Sequence, residues 1–221
     1  EKICLKYPNS GLIFYELGYV YKNLYDFENA FINYKKARQN NPDNEKYSKA
    51  ILNLSQILTM EGDKLYRVKE YQSAQDKYLE AVDYSPDYVD PYFRIAKLNF
   101  ALKKFDDAKG WAEKAVELDS ENFQALKMIG DIYMRFEDVD KAISLYSESI
   151  KKNSEYSKGY YSIALAYKKN NDFDFAIKNL NNAIAIDPSY SKAYETMGVI
   201  FQDQKKYSEA IKNFKLSIEH D

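Results

Sequence analysis

The amino-acid sequence predicts an all-α fold, an α-solenoid of about six helix–turn–helix repeats. Alanine carries the first signal: Ala30, Ala74, Ala108, Ala142, Ala176 and Ala210 are spaced 44, 34, 34, 34 and 34 residues apart. The same register aligns small residues at Gly18, Gly62, Ala96, Gly130, Ala164 and Gly198, and again at Ala37, Ala81, Ala115, Ser149, Ala183 and Ser217. Large apolar residues fill the columns between, at Phe14, Leu58, Tyr92, Leu126, Tyr160 and Tyr194, and at Phe27, Tyr71, Phe105, Val139, Phe173 and Tyr207.

Taken in order, residues 1–10 read as the tail of a preceding unit, since Pro8 stands 34 residues before Pro42. The first complete unit is 11–44. Its stretch YELGYVY places Gly18 inside a helix, where glycine costs roughly 1 kcal/mol against alanine. A small residue there lets two helix axes approach, and Tyr21, one turn on, fills the core beside it.

Residues 45–54, EKYSKAILNL, are an insertion. Tyr47, Ile51 and Leu54 form a helical stripe that runs into Leu58, so the insertion extends the first helix of the second unit, 55–88, by roughly 15 Å. A projecting platform for a partner, or a joint, is the alternative use of the same residues.

The third unit, 89–122, departs from its column with Asn99, whose neighbour Phe100 is expected to take over the packing role. It also has Ala112 where Tyr or Phe is usual, beside Trp111, the only tryptophan. The fourth, fifth and sixth units are 123–156, 157–190 and 191–221. In the fifth, Tyr160, Ala164 and Tyr167 stripe one helix and Ala176, Leu180 and Ala183 the next. Acidic turns such as NNDFDFA and FEDVDKA separate the two helices, with aspartates suited to N-caps.

This pattern resembles the tetratricopeptide repeat (TPR) family. The match is carried in the last unit by Tyr194, Met197, Gly198, Phe201, Tyr207, Ala210 and Phe214, and in the first by Phe14, Leu17, Gly18, Tyr21, Phe27, Ala30, Tyr34, Ala37 and Pro42. The resemblance implies a right-handed solenoid whose concave groove is lined by the first helix of each unit, and a protein-interaction scaffold that holds a peptide or helix there.

It also implies which residues face the groove. These are Tyr15, Tyr19 and Lys22; Asp63, Tyr66 and Arg67; Phe93, Lys97 and Phe100; Lys127, Asp131, Met134 and Arg135; Tyr161, Leu165, Lys168 and Lys169; and Glu195, Val199 and Gln202. Aromatics interleaved with charges suit a protein-binding surface, because tyrosine contributes area at low entropy cost. Members of the family that bind the acidic C-terminal tail of chaperones use a carboxylate clamp of lysines, asparagines and an arginine. Here Lys127 and Lys192 fit that pattern, but Asp131, Ser162 and Thr196 stand where it needs Asn, Asn and Arg, so chaperone-tail binding is not expected.

Other functions find little support. Of 221 residues, 30% are charged and the net charge is −2, which argues against a membrane span and against a general nucleic-acid surface. Cys4 and His220, the single cysteine and histidine, stand at opposite ends, which disfavours a Cys–His or Ser–His–Asp site and excludes a zinc site of several such ligands. Glu137, Asp138 and Asp140 lack calcium-loop spacing, and no glycine-rich phosphate loop occurs. The chain is therefore read as non-enzymatic, with no cofactor and no metal.

The N-terminus EKICLKYPNS has no signal-peptide pattern and no initial methionine, which suggests an excised or processed chain and leaves cytoplasm and periplasm both open. Apolar helix faces at both ends suggest further chain or self-association. A structural part in a multiprotein assembly, such as bacterial envelope or motility machinery, is the alternative function.

Overall fold

The computed structural model describes residues 10–221. Those residues form twelve α-helices and no strand, an all-α helical repeat fold. The described chain divides into two compact units, up to Leu98 and from Asn99 onward, and of the tail assigned to residues 1–10, residues 1–9, with Cys4 and Pro8, lie outside the described residues.

The first unit holds α1 (Gly11–Asn23), α2 (Phe27–Asn40), α3 (Glu45–Arg67), α4 (Tyr71–Tyr84) and α5 (Val89–Ala101) as far as Leu98. Side chains cap three of the starts. Ser10 accepts from the N–H of Ile13, Asp26 from that of Asn29 and Asn44 from that of Lys46, so each satisfies a donor that the helix leaves unpaired.

α3 is one unbroken helix of 23 residues. Tyr47, Ile51, Leu54, Ser55, Leu58, Thr59 and Gly62 make a single buried stripe along it. Ile51, Leu54 and Leu58 share a core with Phe27, Ala30 and Tyr34 of α2 and with Ala81 and Tyr84 of α4. Tyr47 packs with Phe14 and Ala37. Residues 45–54 therefore do not project as a platform: their apolar face is core, and each such Leu or Ile contributes about 1.5–3 kcal/mol on burial.

The second unit holds the end of α5, then α6 (Phe105–Leu118), α7 (Phe123–Arg135), α8 (Val139–Lys152), α9 (Ser157–Lys169), α10 (Phe173–Ile186), α11 (Ser191–Asp203) and α12 (Tyr207–Glu219). Its core runs through Ala142, Tyr146, Ile163 and Ala166, and through Ala164, Ala176, Leu180, Ala193, Met197 and Ile200. Ser149 occupies a column otherwise largely alanine because its hydroxyl donates to the carbonyl of Phe123, at 2.7 Å.

The six turns between paired helices share one geometry. Tyr25, Lys69, Lys103, Glu137, Asn171 and Lys205 all have φ between 60 and 66°, in the left-handed region. The N–H that follows each reaches back five residues, as from Asp26 to Tyr21, Asp138 to Tyr133 and Asp172 to Tyr167, which closes the helix end. No described glycine has positive φ, so the turns rely on residues that carry a side chain. Asp26 and Asp138 cap the following helix, whereas Asp172 makes no side-chain cap bond.

Two packing expectations need correction. Tyr207 is 62% exposed and fills no core, and Tyr160 and Tyr194 are only half-buried. Asn99 is itself buried, at 2% exposure, while Phe100 lies half-buried with its ring edge-on to Phe105 at 5.4 Å between centroids. The asparagine keeps the column's place, and Phe100 is released for another surface.

Candidate functional site

The second unit holds a recess of about 610 Å³, lined partly by core side chains and partly by exposed ones. α7 contributes Lys127, Asp131, Met134 and Arg135, whose spacing of four, three and one puts them on one helical face. α9 contributes Lys158, Tyr161, Ser162, Leu165 and Lys169 by the same logic. Phe100, Tyr146, Tyr190 and Lys192 complete the lining.

Asp131 is the only carboxylate in that lining and it is fully engaged. It accepts from the Tyr146 hydroxyl at 2.9 Å and from Lys127 Nζ at 2.7 Å. Burial, and then the Asp131 charge, push the Tyr146 phenol well above its ordinary range, so it stays a donor. Tyr161 and Tyr190 lie with ring centroids 5.1 Å apart, and the Tyr161 hydroxyl is 3.2 Å from that of Thr196. Burial pushes Tyr190 up to about 12, with Tyr161, Tyr156 and Asp187 adding to the shift. Arg135 sits 6.0 Å over the ring of Phe100.

The first unit has a smaller recess of about 370 Å³, lined by Tyr15, Tyr19, Lys22, Tyr34, Lys46, Lys49, Ala50 and Asn53. Lys46 Nζ lies 4.1 Å from the Tyr15 ring centroid and Lys22 Nζ 5.2 Å from that of Tyr19. The polar face of residues 45–54 thus walls this recess while their apolar face joins the core.

Of the residues read from the sequence, the second recess gathers Phe100, Lys127, Asp131, Met134, Arg135, Tyr161, Leu165 and Lys169, and the first gathers Tyr15, Tyr19 and Lys22. Tyr15 is as much core as surface, since it stacks on Tyr47 and tilts against Tyr34, each at 5.5 Å. Asp63, Tyr66, Arg67, Phe93 and Lys97 line neither recess. Asp63 accepts from the Tyr78 hydroxyl at 2.8 Å and meets Arg94 Nε at 3.2 Å, while Lys97 covers the Tyr66 ring. Arg67 is exposed and Phe93 half-buried.

Lys168 is half-buried and outside the lining, and Lys169 takes the position one residue on, 3.7 Å from Glu137. Glu195, Val199 and Gln202 also lie outside it. Sequence reasoning missed Tyr146, Lys158 and Tyr190. Lys158 was legible as one more turn of the stripe that holds Ser162 and Leu165. Tyr146 enters only because its ring crosses Gly130, which no single-helix pattern reveals.

Among the described residues no group of three or more His, Cys, Asp or Glu is placed to hold a metal ion, and no helix is long and apolar enough to cross a membrane.

Comparison with known proteins bears on the family and the fold. Models described as tetratricopeptide repeat match residues 13–44, 59–123, 93–158 and 157–190. Small glutamine-rich tetratricopeptide repeat-containing protein 2 of Saccharomyces cerevisiae is 35% identical over 91 residues, which are 41% of this chain but a quarter (25%) of that protein. The crystal structure of MamA superposes with a TM-score of 0.62 at 25% identity, covering 72% of this chain and 93% of the other. That of YrrB, described as a TPR protein with an unusual peptide-binding site, superposes at 0.58 with 17% identity over 85% of this chain and 92% of its own. With repeat models matching along most of its length and this fold beneath them, the chain belongs to the tetratricopeptide repeat family.

Proposed function

We propose that this chain is a non-enzymatic protein-interaction module whose second unit holds a peptide or helix of a partner in the recess between the faces of α7 and α9. The observation that carries this reading is the lining itself. Phe100, Met134 and Leu165 present apolar area beside tyrosines and cations on the walls of one recess. Such a mixture gives a partner both a dry anchor and directional polar contacts. The description of YrrB as a peptide-binding TPR protein supports the class of ligand. The chaperone tail is not the proposed ligand, because Lys127 is already paired with Asp131.

A second reading, docking into a larger assembly, has its own observation. α12 exposes Tyr207, Ile211 and Ile218 along one apolar face among the described residues.

The test is capture from native lysate with the wild-type chain beside a Phe100→Ala/Met134→Ala/Leu165→Ala variant, with circular dichroism as the folding control. A protein held by the first and lost by the second, at equal helix content, supports the recess. Equal capture by both moves the contact elsewhere and favours the assembly reading.

A further inference from the structure

We propose that the partner segment held in the second unit's recess is acidic, with aspartates or glutamates alternating with apolar residues; this rests on the peptide-holding reading above. Five of the lining side chains are cationic and one is a carboxylate, although the whole chain carries a net charge of −2. Asp131 does not offset the remainder, since it is satisfied by Lys127 and Tyr146. Among the described residues no carboxylate lies within ion-pair distance of Arg135, Lys158 or Lys192, while Lys169 has only the long contact to exposed Glu137.

These three cations come from α7, α9 and α11, so they are spread around the recess and are not gathered at one end of one helix. An uncompensated cation facing a recess attracts carboxylates and repels basic segments, which is how charge selects a partner. The same lining holds Met134 and Leu165, which suit aliphatic or aromatic side chains of the same segment. A nucleic acid is the poorer fit. A phosphate backbone needs a continuous run of cations, and here apolar residues and Asp131 interrupt it. The clamp for a terminal carboxylate is a different device: of its two matching lysines Lys127 is paired with Asp131, and of the cations without a carboxylate, Arg135, Lys158 and Lys192, only Lys192 belongs to it.

The experiment is selection from a random peptide display library on the wild-type chain and on an Arg135→Gln/Lys158→Gln/Lys192→Gln variant. All three side chains are exposed, so the variant is expected to keep its helix content. The expected result is enrichment of acidic peptides with interspersed apolar residues by the wild type, loss of the acidic preference by the variant, and binding of a synthesised winner weakened about tenfold or more. A Lys158→Glu/Lys192→Glu variant should turn the preference toward basic peptides. Neutral or basic winners on the wild type, or undiminished acidic winners on the variant, overturn the inference while leaving a peptide site standing. No enrichment on either chain overturns the peptide-holding reading itself. Binding of a single-stranded oligothymidine at 0.15 M salt that the variant loses would replace the acidic segment with a polyanion.

Discussion

The ring of Tyr146 occupies the space that a β-carbon on Gly130 would need: an added methyl would stand 2.7 Å from its Cδ1. Gly18 meets Tyr34 and Gly198 meets Phe214 in the same way, and Gly62 meets Tyr78. Each aromatic lies sixteen residues after its glycine. Where the column has alanine, at Ala96 and Ala164, the residue sixteen on is Ala112 or Leu180. Glycine and aromatic ring therefore come as a matched pair, and alanine comes with a slimmer partner.

Gly130→Ala should accordingly destabilise the chain by about 1–3 kcal/mol through overpacking, although alanine is the better helix former. Adding Tyr146→Leu, which copies the Ala164–Leu180 pair, should recover part of that loss. A double-mutant cycle in urea checks it, with a coupling of about 1–2 kcal/mol expected between the two sites.

The left-handed turn residues give a prediction of opposite sign. Glu137 and Lys69 have φ of 64° and 66°. A side chain there costs roughly 1–2 kcal/mol that glycine avoids, offset in part by glycine's greater entropy when unfolded. Glu137→Gly and Lys69→Gly should each raise the thermal midpoint. Asn171→Gly should raise it less, because asparagine tolerates this conformation.

Leu54→Ala should cost about 2–5 kcal/mol, the loss typical of a large aliphatic side chain removed from a closed core. Chemical denaturation decides between core and projecting platform, since a platform residue would change by less than about 0.5 kcal/mol.

Within the first recess, Tyr15 and Tyr19 should part company. Tyr15→Ala removes two ring contacts and should lower the thermal midpoint, whereas Tyr19→Ala, at a side chain 46% exposed, should leave it nearly unchanged.

Alkaline pH supplies another check. Burial, then neighbouring Tyr15 and Tyr19, push Tyr34 up to about 12, and burial also raises Tyr78, Tyr84 and Tyr146. The folded chain thus keeps protons that the unfolded chain releases near pH 10.0, so these groups favour folding below that pH and their contribution falls as pH rises above it. Tyrosinate absorbance should appear later in the folded chain than in the denatured one, and the thermal midpoint should fall above about pH 10.

The repeat architecture was legible because packing imposes columns: Ala30 to Ala210 sit at helix contacts where nothing larger fits, and they are buried throughout. The recess was legible in part. Met134, Arg135 and Leu165 follow from helical spacing alone. Tyr146 and Tyr190 do not, because they reach the recess from a second helix and from a turn, by crossing angles that a linear pattern does not encode. Tyr15 lines the first recess and also stacks on Tyr47 from residues 45–54, a partner that only the fold of that insertion reveals.

The most direct test of the recess is site-specific photocrosslinking in the native cell extract, with a benzophenone side chain placed singly at Leu165, at Glu148 on α8 or at Asn181 on α10. All three positions are exposed, and only Leu165 lines the recess. The account predicts a partner adduct from Leu165 and none from Glu148 or Asn181. Adducts from Glu148 or Asn181 with none from Leu165 would contradict it.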